Sequence, residues 1–148
     1  MDIQKINYFM AFAHVEAKKA FNKNEVPVGC VIVLNNKIIG RGYNRVIEKC
    51  SVSAHAEILA IEDASKHLQN YRLLNSDIFT TLEPCHMCAK AIVDARISNL
   101  YFGASEPKTG AIESIDNFLD RTDLNHRVNF SGGFMANQSI ELLKNFFI

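Results

Sequence analysis

Two short segments constrain this chain more than any other, His55-Ala56-Glu57 and Pro84-Cys85-His86-Met87-Cys88. One imidazole and two thiolates form a donor set suited to Zn²⁺, which prefers four tetrahedral ligands. Three protein ligands, His55, Cys85 and Cys88, leave one corner of the tetrahedron to a water molecule. An open corner is typical of a catalytic zinc, where the pKa of bound water falls to about 7. We therefore expect an enzyme in which the Glu57 carboxylate lies beside an activated water.

The same spacing predicts how the fold brings these ligands together. Pro84 followed by Cys85 is typical of a helix start, since proline suits the first helical turn. Cys85 and Cys88, three residues apart, then project from one side and benefit from the positive end of the helix dipole. His55 stands where a second helix is predicted to open, with Ser53 or a near neighbour as candidate N-cap. We expect two helix N-termini to converge on one cation.

Each of these residues also has an ordinary structural interpretation. A Cys-x-x-Cys pair alone occurs in structural zinc knuckles and redox motifs. His55 alone would be a half-buried histidine, and Glu57 alone a solvated carboxylate that complements the helix dipole. The order H-x-E followed by P-C-x-x-C favours the catalytic interpretation, because it is the signature of zinc-dependent nucleobase deaminases.

Composition limits the remaining classes of protein. The 148 residues are expected to form one domain, 1–148, with room for a core. A hydrophobic share of 48% and a charged share of 22% exclude disordered and fibrous chains. No apolar run approaches the roughly 20 residues of a membrane span. The N-terminus carries Asp2, His14 and Glu16 in an amphipathic pattern, so we expect neither a signal peptide nor a membrane partner.

Two further cysteines need another explanation. Cys30 lies in the apolar run VGCVIVL, which predicts a small buried thiol, and Cys50 precedes the histidine ligand in a loop and is interpreted as a free thiol. Unbridged, metal-binding cysteines suit a reducing compartment, so we expect a cytoplasmic protein.

The charge pattern neither requires nor excludes a nucleic acid. The formal net charge is zero, whereas many nucleic-acid-binding domains are visibly basic. Basic side chains nevertheless fall into three groups: Lys18, Lys19 and Lys23; Arg41, Arg45 and Lys49; Lys108, Arg121 and Arg127. Each group is most simply solvated surface charge, and could follow a phosphate backbone only where the fold brings the groups together.

Hydrophobic periodicity predicts the order of helices and strands. We expect helices over 3–24, 53–68, 85–96 and 136–147, strands over 28–34, 37–43, 78–82 and 99–103, a candidate fifth strand over 127–130, and an irregular polar loop over 104–126. This order predicts an α/β fold, a three-layer α/β/α sandwich with a mixed five-stranded sheet. Cys85 then follows a strand end, where sites form in open α/β sheets.

Several segments beyond the metal motif resemble the cytidine-deaminase-like zinc deaminases, specifically the bacterial tRNA adenosine deaminases. The segments are EVPVG (25–29), GYNR (42–45), AHAEI (54–58), NYRL (70–73), TLEPCHMCAKAI (81–92), FGASEPKTGA (102–111), LNHRV (124–128) and LLKNFF (142–147). The resemblance implies a homodimer with one Zn²⁺ per subunit. It further implies deamination of adenosine to inosine at the wobble position of a tRNA anticodon stem-loop.

The resemblance also assigns roles to individual residues. His55, Cys85 and Cys88 correspond to the zinc ligands and Glu57 to the proton shuttle. The substrate-binding positions are Asn44 on the target base; Val28, Ala56 and Leu82 along the base pocket; and Lys108, Asn125 and the Phe146-Phe147 pair near the flanking nucleotides. From the residues alone, Asn44 is a turn former and the phenylalanines are core or dimer contacts.

Two internal segments of this sequence depart from the family pattern. Ser51-Val52-Ser53 replaces the usual Asp-Pro-Thr before the histidine motif, and Glu106-Pro107 stands where Asp-Ala is usual. Three other interpretations stay open. They are a small-molecule guanine or cytosine deaminase with the same zinc chemistry, a catalytically silent RNA-binding module with a structural zinc, and a purely structural protein.

Overall fold

A computed structural model describes all 148 residues and contains every predicted helix and strand. The elements in chain order are α1 (Ile3–Asn22), β1 (Gly29–Leu34), β2 (Lys37–Tyr43), α2 (Ala56–Leu68), β3 (Asp77–Leu82), α3 (His86–Asp94), β4 (Asn99–Ala104), a short 3₁₀ turn (Phe118–Asp120), β5 (Asn129–Ser131) and α4 (Ala136–Phe146). None of the helices combines the length and apolar character that crossing a membrane requires.

The sheet has five strands in the order β2-β1-β3-β4-β5. β1 pairs antiparallel with both β2 and β3, whereas β3–β4 and β4–β5 are parallel pairs. Asn35 and Asn36 connect β1 to β2 with φ values of 51° and 63°, the left-handed conformation that tight hairpin turns require. The predicted mixed five-stranded sheet is confirmed.

Successive side chains of β1 point to opposite faces of the sheet, and each face packs against a different layer of helices. Val31 and Val33 pack with Phe9 and Met10 of α1 on one face of the sheet. The other face is covered by α2 and α3, and the buried residues Cys30 and Ile32 point into that core. α4 contacts α1 and β4 and therefore completes the first layer. The three-layer sandwich is confirmed, and so is the buried position of Cys30.

Small residues let α2 lie unusually close to β2. A Cβ at Gly42 would overlap the Ala56 carbonyl and lie 2.6 Å from the Ala60 nitrogen, and one at Gly40 would lie 2.8 Å from the Ala64 nitrogen. Larger side chains at these glycines would push the helix off the sheet. The close approach fixes the start of α2, which carries the predicted histidine ligand and carboxylate.

The structure corrects two details of the predicted helix starts. α2 begins at Ala56 with His55 in the cap position, so Ser53 is not the N-cap; its hydroxyl lies 3.1 Å from that of Ser51 instead. α3 begins at His86 with Cys85 in the cap position, so Pro84 precedes the helix rather than occupying its first turn. Neither cap side chain bonds to its own helix, because both turn toward each other.

Candidate functional site

The three predicted metal ligands lie together in the structure. His55 Nδ1 is 3.7 Å from Cys85 Sγ and 3.5 Å from Cys88 Sγ, and all three donor atoms lie within 4.8 Å of one another. Tetrahedral zinc with Zn–S bonds near 2.3 Å and Zn–N bonds near 2.0 Å implies N···S separations of about 3.5 Å. The donor set therefore fits Zn²⁺ in both chemistry and spacing.

Two helix N-termini hold these ligands, as the sequence predicts. His55 is the cap residue of α2, Cys85 is the cap residue of α3, and Cys88 lies in the first turn of α3. β3 ends three residues before Cys85, so the site lies at the carboxyl end of a central strand. The unpaired N–H groups and partial positive charge of both helix starts favour anionic ligands at this point.

The pKa values of the two cysteines are also relevant to cation binding. A hydrogen bond from Cys88 is the main factor that lowers the pKa of Cys85 to about 3, whereas donation of that proton and burial raise the pKa of Cys88. The pKa values of the two neighbouring thiols are thus shifted in opposite directions. Metal ligation requires both as thiolates, a state that a divalent cation stabilises.

Glu57 is the buried carboxylate of this site. Glu57 lies in the first turn of α2 and is only 4% exposed. Burial is the main cause that raises the pKa of Glu57 to about 7; the nearby Cys85 raises it further, while its backbone N–H and His55 oppose the change. A carboxyl group with a pKa near neutrality can both accept and donate a proton, as general acid–base catalysis requires.

A cavity of about 420 Å³ opens onto His55, Glu57 and Cys85. This volume lies within the range of small-molecule sites, about 300–1,000 Å³. Most of its wall is apolar, with a few carboxylates and one amide. The remaining lining residues are Glu25, Val26, Val28, Asn44, Val46, Ile47, Ala56, Leu82, Glu83, Thr109 and Phe146.

The predicted substrate-binding residues divide into two sets. Val28, Asn44, Ala56 and Leu82 all line the cavity. Lys108, Asn125 and Phe147 are exposed and do not line it, although Phe146 of the same aromatic pair does. The resemblance relates the second set to flanking nucleotides outside the pocket, and its role stays a prediction.

Sequence reasoning missed two buried carboxylates in the cavity wall, Glu25 and Glu83. Glu25 accepts hydrogen bonds from the backbone N–H groups of Ile47 and Glu48, at 3.1 and 2.8 Å, and so holds the loop that follows Asn44. Burial would raise the pKa of Glu83, but hydrogen bonds from the segment after β4 outweigh it and lower that pKa. The motifs EVPVG and TLEPC contain both residues, yet a glutamate in a motif does not by itself indicate burial.

Acidic neighbours pair with members of the basic groups. Lys19 lies 2.7 Å from Glu16, Lys23 lies 3.3 Å from Glu48, and Arg45 pairs with the same Glu48. In the late group, Arg121 lies 2.8 Å from Asp123. These pairs support the interpretation of Lys19, Lys23, Arg45 and Arg121 as ordinary surface charge.

Comparison with known proteins agrees with this geometry. The family model of the cytidine and deoxycytidylate deaminase zinc-binding region matches residues 3–104. The chain is 42% identical to a tRNA-specific adenosine deaminase of Streptococcus pyogenes serotype M1 over 145 residues, which are 98% of this chain and 85% of the relative.

Solved structures show a similar relation. A structure from a study of A-to-I editing by tRNA:A34 deaminases at the wobble position superposes with a TM-score of 0.89 and 44% identity, over 92% of this chain and 99% of the other. A guanine deaminase from Nitrosomonas europaea superposes with a TM-score of 0.76 over 93% of this chain and 81% of the other. Its 22% identity shows a shared fold alone.

Proposed function

The chain belongs to the tRNA-specific adenosine deaminases within the zinc-binding cytidine and deoxycytidylate deaminase family, and from this we propose that it converts adenosine to inosine at the wobble position of a tRNA anticodon. The observation that carries the proposal is the placement of a buried carboxylate, Glu57, beside a His-Cys-Cys ligand set at the base of a cavity. The reaction is a zinc-dependent hydrolysis, in which water replaces the exocyclic amine of adenine.

The ligand set supplies one part of the chemistry and Glu57 the other. His55, Cys85 and Cys88 would hold a Zn²⁺ ion, which would supply the Lewis acidity that makes water a nucleophile at neutral pH. Glu57 takes a proton from the attacking water and passes it to N1 of the adenine as C6 is attacked. It then takes the remaining hydroxyl proton and delivers it to the departing amine, which leaves as ammonia, so one carboxyl acts as base and then as acid.

The cavity wall orients the base for this attack. The target adenine must leave its stack to reach a buried site. Val28, Ala56 and Leu82 would offer apolar surface to the flipped ring, and the amide of Asn44, which lines the same cavity, would hydrogen-bond it. Outside the cavity, Lys108, Asn125 and Phe147 would contact the neighbouring anticodon nucleotides, where stacking on an aromatic ring contributes about 1–3 kcal/mol per base.

The proposal extends to assembly and location. It treats 1–148 as one deaminase domain that acts as a homodimer on an anticodon stem-loop, with one zinc per subunit. A reducing cytoplasm suits the four cysteines, which form no disulfide. Exposed apolar side chains such as Ile47, Val52 and Ile115 offer surface for a second subunit.

The test is incubation of the zinc-loaded protein with an anticodon stem-loop, followed by nucleoside mass spectrometry. We expect inosine at the wobble position and no product from a stem-loop that carries guanosine there. Free guanine, cytosine and adenosine are assayed in parallel. Activity confined to free guanine or cytosine would replace the proposal with a small-molecule deaminase, and tight stem-loop binding without inosine would replace it with a silent RNA-binding module.

A further inference from the structure

The carboxylate of Glu83, two residues before Cys85, accepts five hydrogen bonds. The residue is 2% exposed, yet its carboxylate borders the cavity. Oε2 accepts the backbone N–H groups of Ile112, Glu113 and Ser114 at 3.0, 2.8 and 3.0 Å. Oε1 accepts the N–H of Glu106 at 3.0 Å and the Ser114 hydroxyl. Five donors from one segment thus converge on a single side chain.

The segment held in this way, 106–114, has almost no regular secondary structure of its own. It follows β4 and folds back over the start of α3, where the Ala111 N–H donates to the Pro84 carbonyl at 2.9 Å. Gly110 packs so closely on the carboxylate that a Cβ there would overlap it. The middle of the segment is also held by the fully buried side chains of Ala111 and Ile112, whereas the bonds to Glu83 hold its ends, Glu106 on one side and Glu113 and Ser114 on the other.

The same segment carries part of the cavity wall. Thr109 lines the cavity, and the exposed Lys108 precedes it. A movement of the segment would therefore change the width of the cavity and the position of a cationic side chain. The helices that carry the metal ligands have a separate anchor, since Ala56 and Ala60 of α2 and Ala89 and Ile92 of α3 pack in the main hydrophobic core.

We propose that Glu83 is a positioning residue for substrate binding, whose carboxylate fixes 106–114 so that Thr109 and Lys108 meet the bound nucleotides. This inference rests on the proposed function and adds a residue that acts through a loop rather than on the reacting atoms. A carboxylate offers two acceptor oxygens to the five donors, whereas an amide turns an N–H₂ group toward some of them. Removal of the charge should therefore release the segment.

The experiment compares Glu83→Gln with Glu16→Gln, which makes the same change at another buried carboxylate, beside Lys19 on α1. For Glu83→Gln we expect the KM for an anticodon stem-loop to rise about tenfold or more, the loss expected when hydrogen bonds to a charged group are broken. We expect kcat and zinc content to stay within about threefold of wild type, since the helices that carry the ligands are anchored by their own core packing. Glu16→Gln should change neither kinetic constant.

A second variant approaches the same contact from the loop. Gly110→Ala should raise KM in the same way, because its methyl group displaces the segment from an intact carboxylate. Ser114→Ala removes one of five donors and should have a smaller effect. An unchanged KM in both Glu83→Gln and Gly110→Ala would overturn the proposal, and so would a fall in kcat together with loss of zinc.

Amide hydrogen exchange separates this inference from the proposed function. In Glu83→Gln, the amides of Glu106, Ile112, Glu113 and Ser114 should lose protection, whereas those of β3 should keep it. This readout needs no substrate, so it holds even if wild-type protein makes no inosine. Wild-type protection across 106–114 in the variant would refute the positioning role, while absence of inosine with wild-type protein would refute only the proposed function.

Discussion

Two glutamates of the same helix, α2, differ in their exposure to solvent. Glu57 and Glu62 both belong to α2, but Glu57 is buried beside the ligand set while Glu62 faces solvent. Burial raises the pKa of Glu57 to about 7, a value suited to proton transfer near neutral pH. The catalytic assignment therefore depends on where the fold places the carboxylate.

Replacement of Glu57 by glutamine should separate catalysis from metal binding. Glu57→Gln keeps the shape of the side chain but cannot move a proton, so we expect kcat to fall by about 10²- to 10⁴-fold. Zinc content should be unchanged, because His55, Cys85 and Cys88 remain. Steady-state inosine formation and metal analysis are the measurements, with Glu62→Gln as the matched control. Near-normal turnover by the purified Glu57→Gln protein would remove Glu57 from the mechanism.

The sequence predicted the ligands and Glu57 more completely than the rest of the cavity. Imidazole and thiolate groups are typical zinc ligands, so these residue types indicate a metal site by themselves. Cys85 and Cys88 also lie within one helical turn, so their proximity can be predicted from the sequence. Glu25 and Glu83 carry no such signal, since their burial depends on loops that fold over them from elsewhere in the chain. Their role could be found only from the hydrogen bonds.

At the scale of elements, the start of α2 is placed by its contact with β2. Gly42 faces the backbone of Ala56 and Ala60 with no room for a side chain. Periodicity located this helix and strand correctly but could not measure the distance between them. Periodicity also placed the starts of α2 and α3 too early. His55 and Cys85 are the cap residues that precede these helices, and their side chains belong to the ligand set.

A methyl group at Gly42 should damage the metal site through the helix. Gly42→Ala forces α2 away from β2, and overpacking of this kind costs about 1–3 kcal/mol in the free energy of unfolding. Because His55 and Glu57 move with the helix, zinc affinity and inosine formation should fall as well. Urea unfolding and zinc titration are the measurements.

The comparison variant is Gly133→Ala, where φ is +96° but no atom lies within 4 Å of the added methyl group. It should lose stability through backbone strain alone and keep normal zinc affinity. If Gly42→Ala also binds zinc normally, the contact between β2 and α2 does not position the ligand.

At the scale of the whole molecule, His14 joins the two helices that cover the sheet face opposite the metal. It is 8% exposed on α1, and its Nε2 lies 3.3 Å from the Ser139 hydroxyl of α4. Burial is the main cause that lowers the pKa of His14; the positive charge of Lys18 lowers it further, and a hydrogen bond with the Met135 backbone opposes both. Glu141 of α4 borders the same groove as Lys18. The fold therefore holds this imidazole neutral.

Acid should loosen this contact between α1 and α4. The unfolded chain protonates its histidine near the ordinary pKa of 6.5, while folded His14 resists protonation, so the unfolded state binds more protons as the pH falls below that value. The free energy of unfolding should thus decline below pH 6.5, with a slope of at most about 1.4 kcal/mol per pH unit from this group. His14→Gln should be less stable than wild type at pH 8, and the difference in the free energy of unfolding between the two proteins should narrow toward pH 5.

Urea unfolding in excess zinc at each pH measures that gap, and contributions from the metal site cancel because both proteins share it. A constant gap for His14→Gln would mean that protonation of His14 is not coupled to unfolding, and that acid acts on this protein elsewhere.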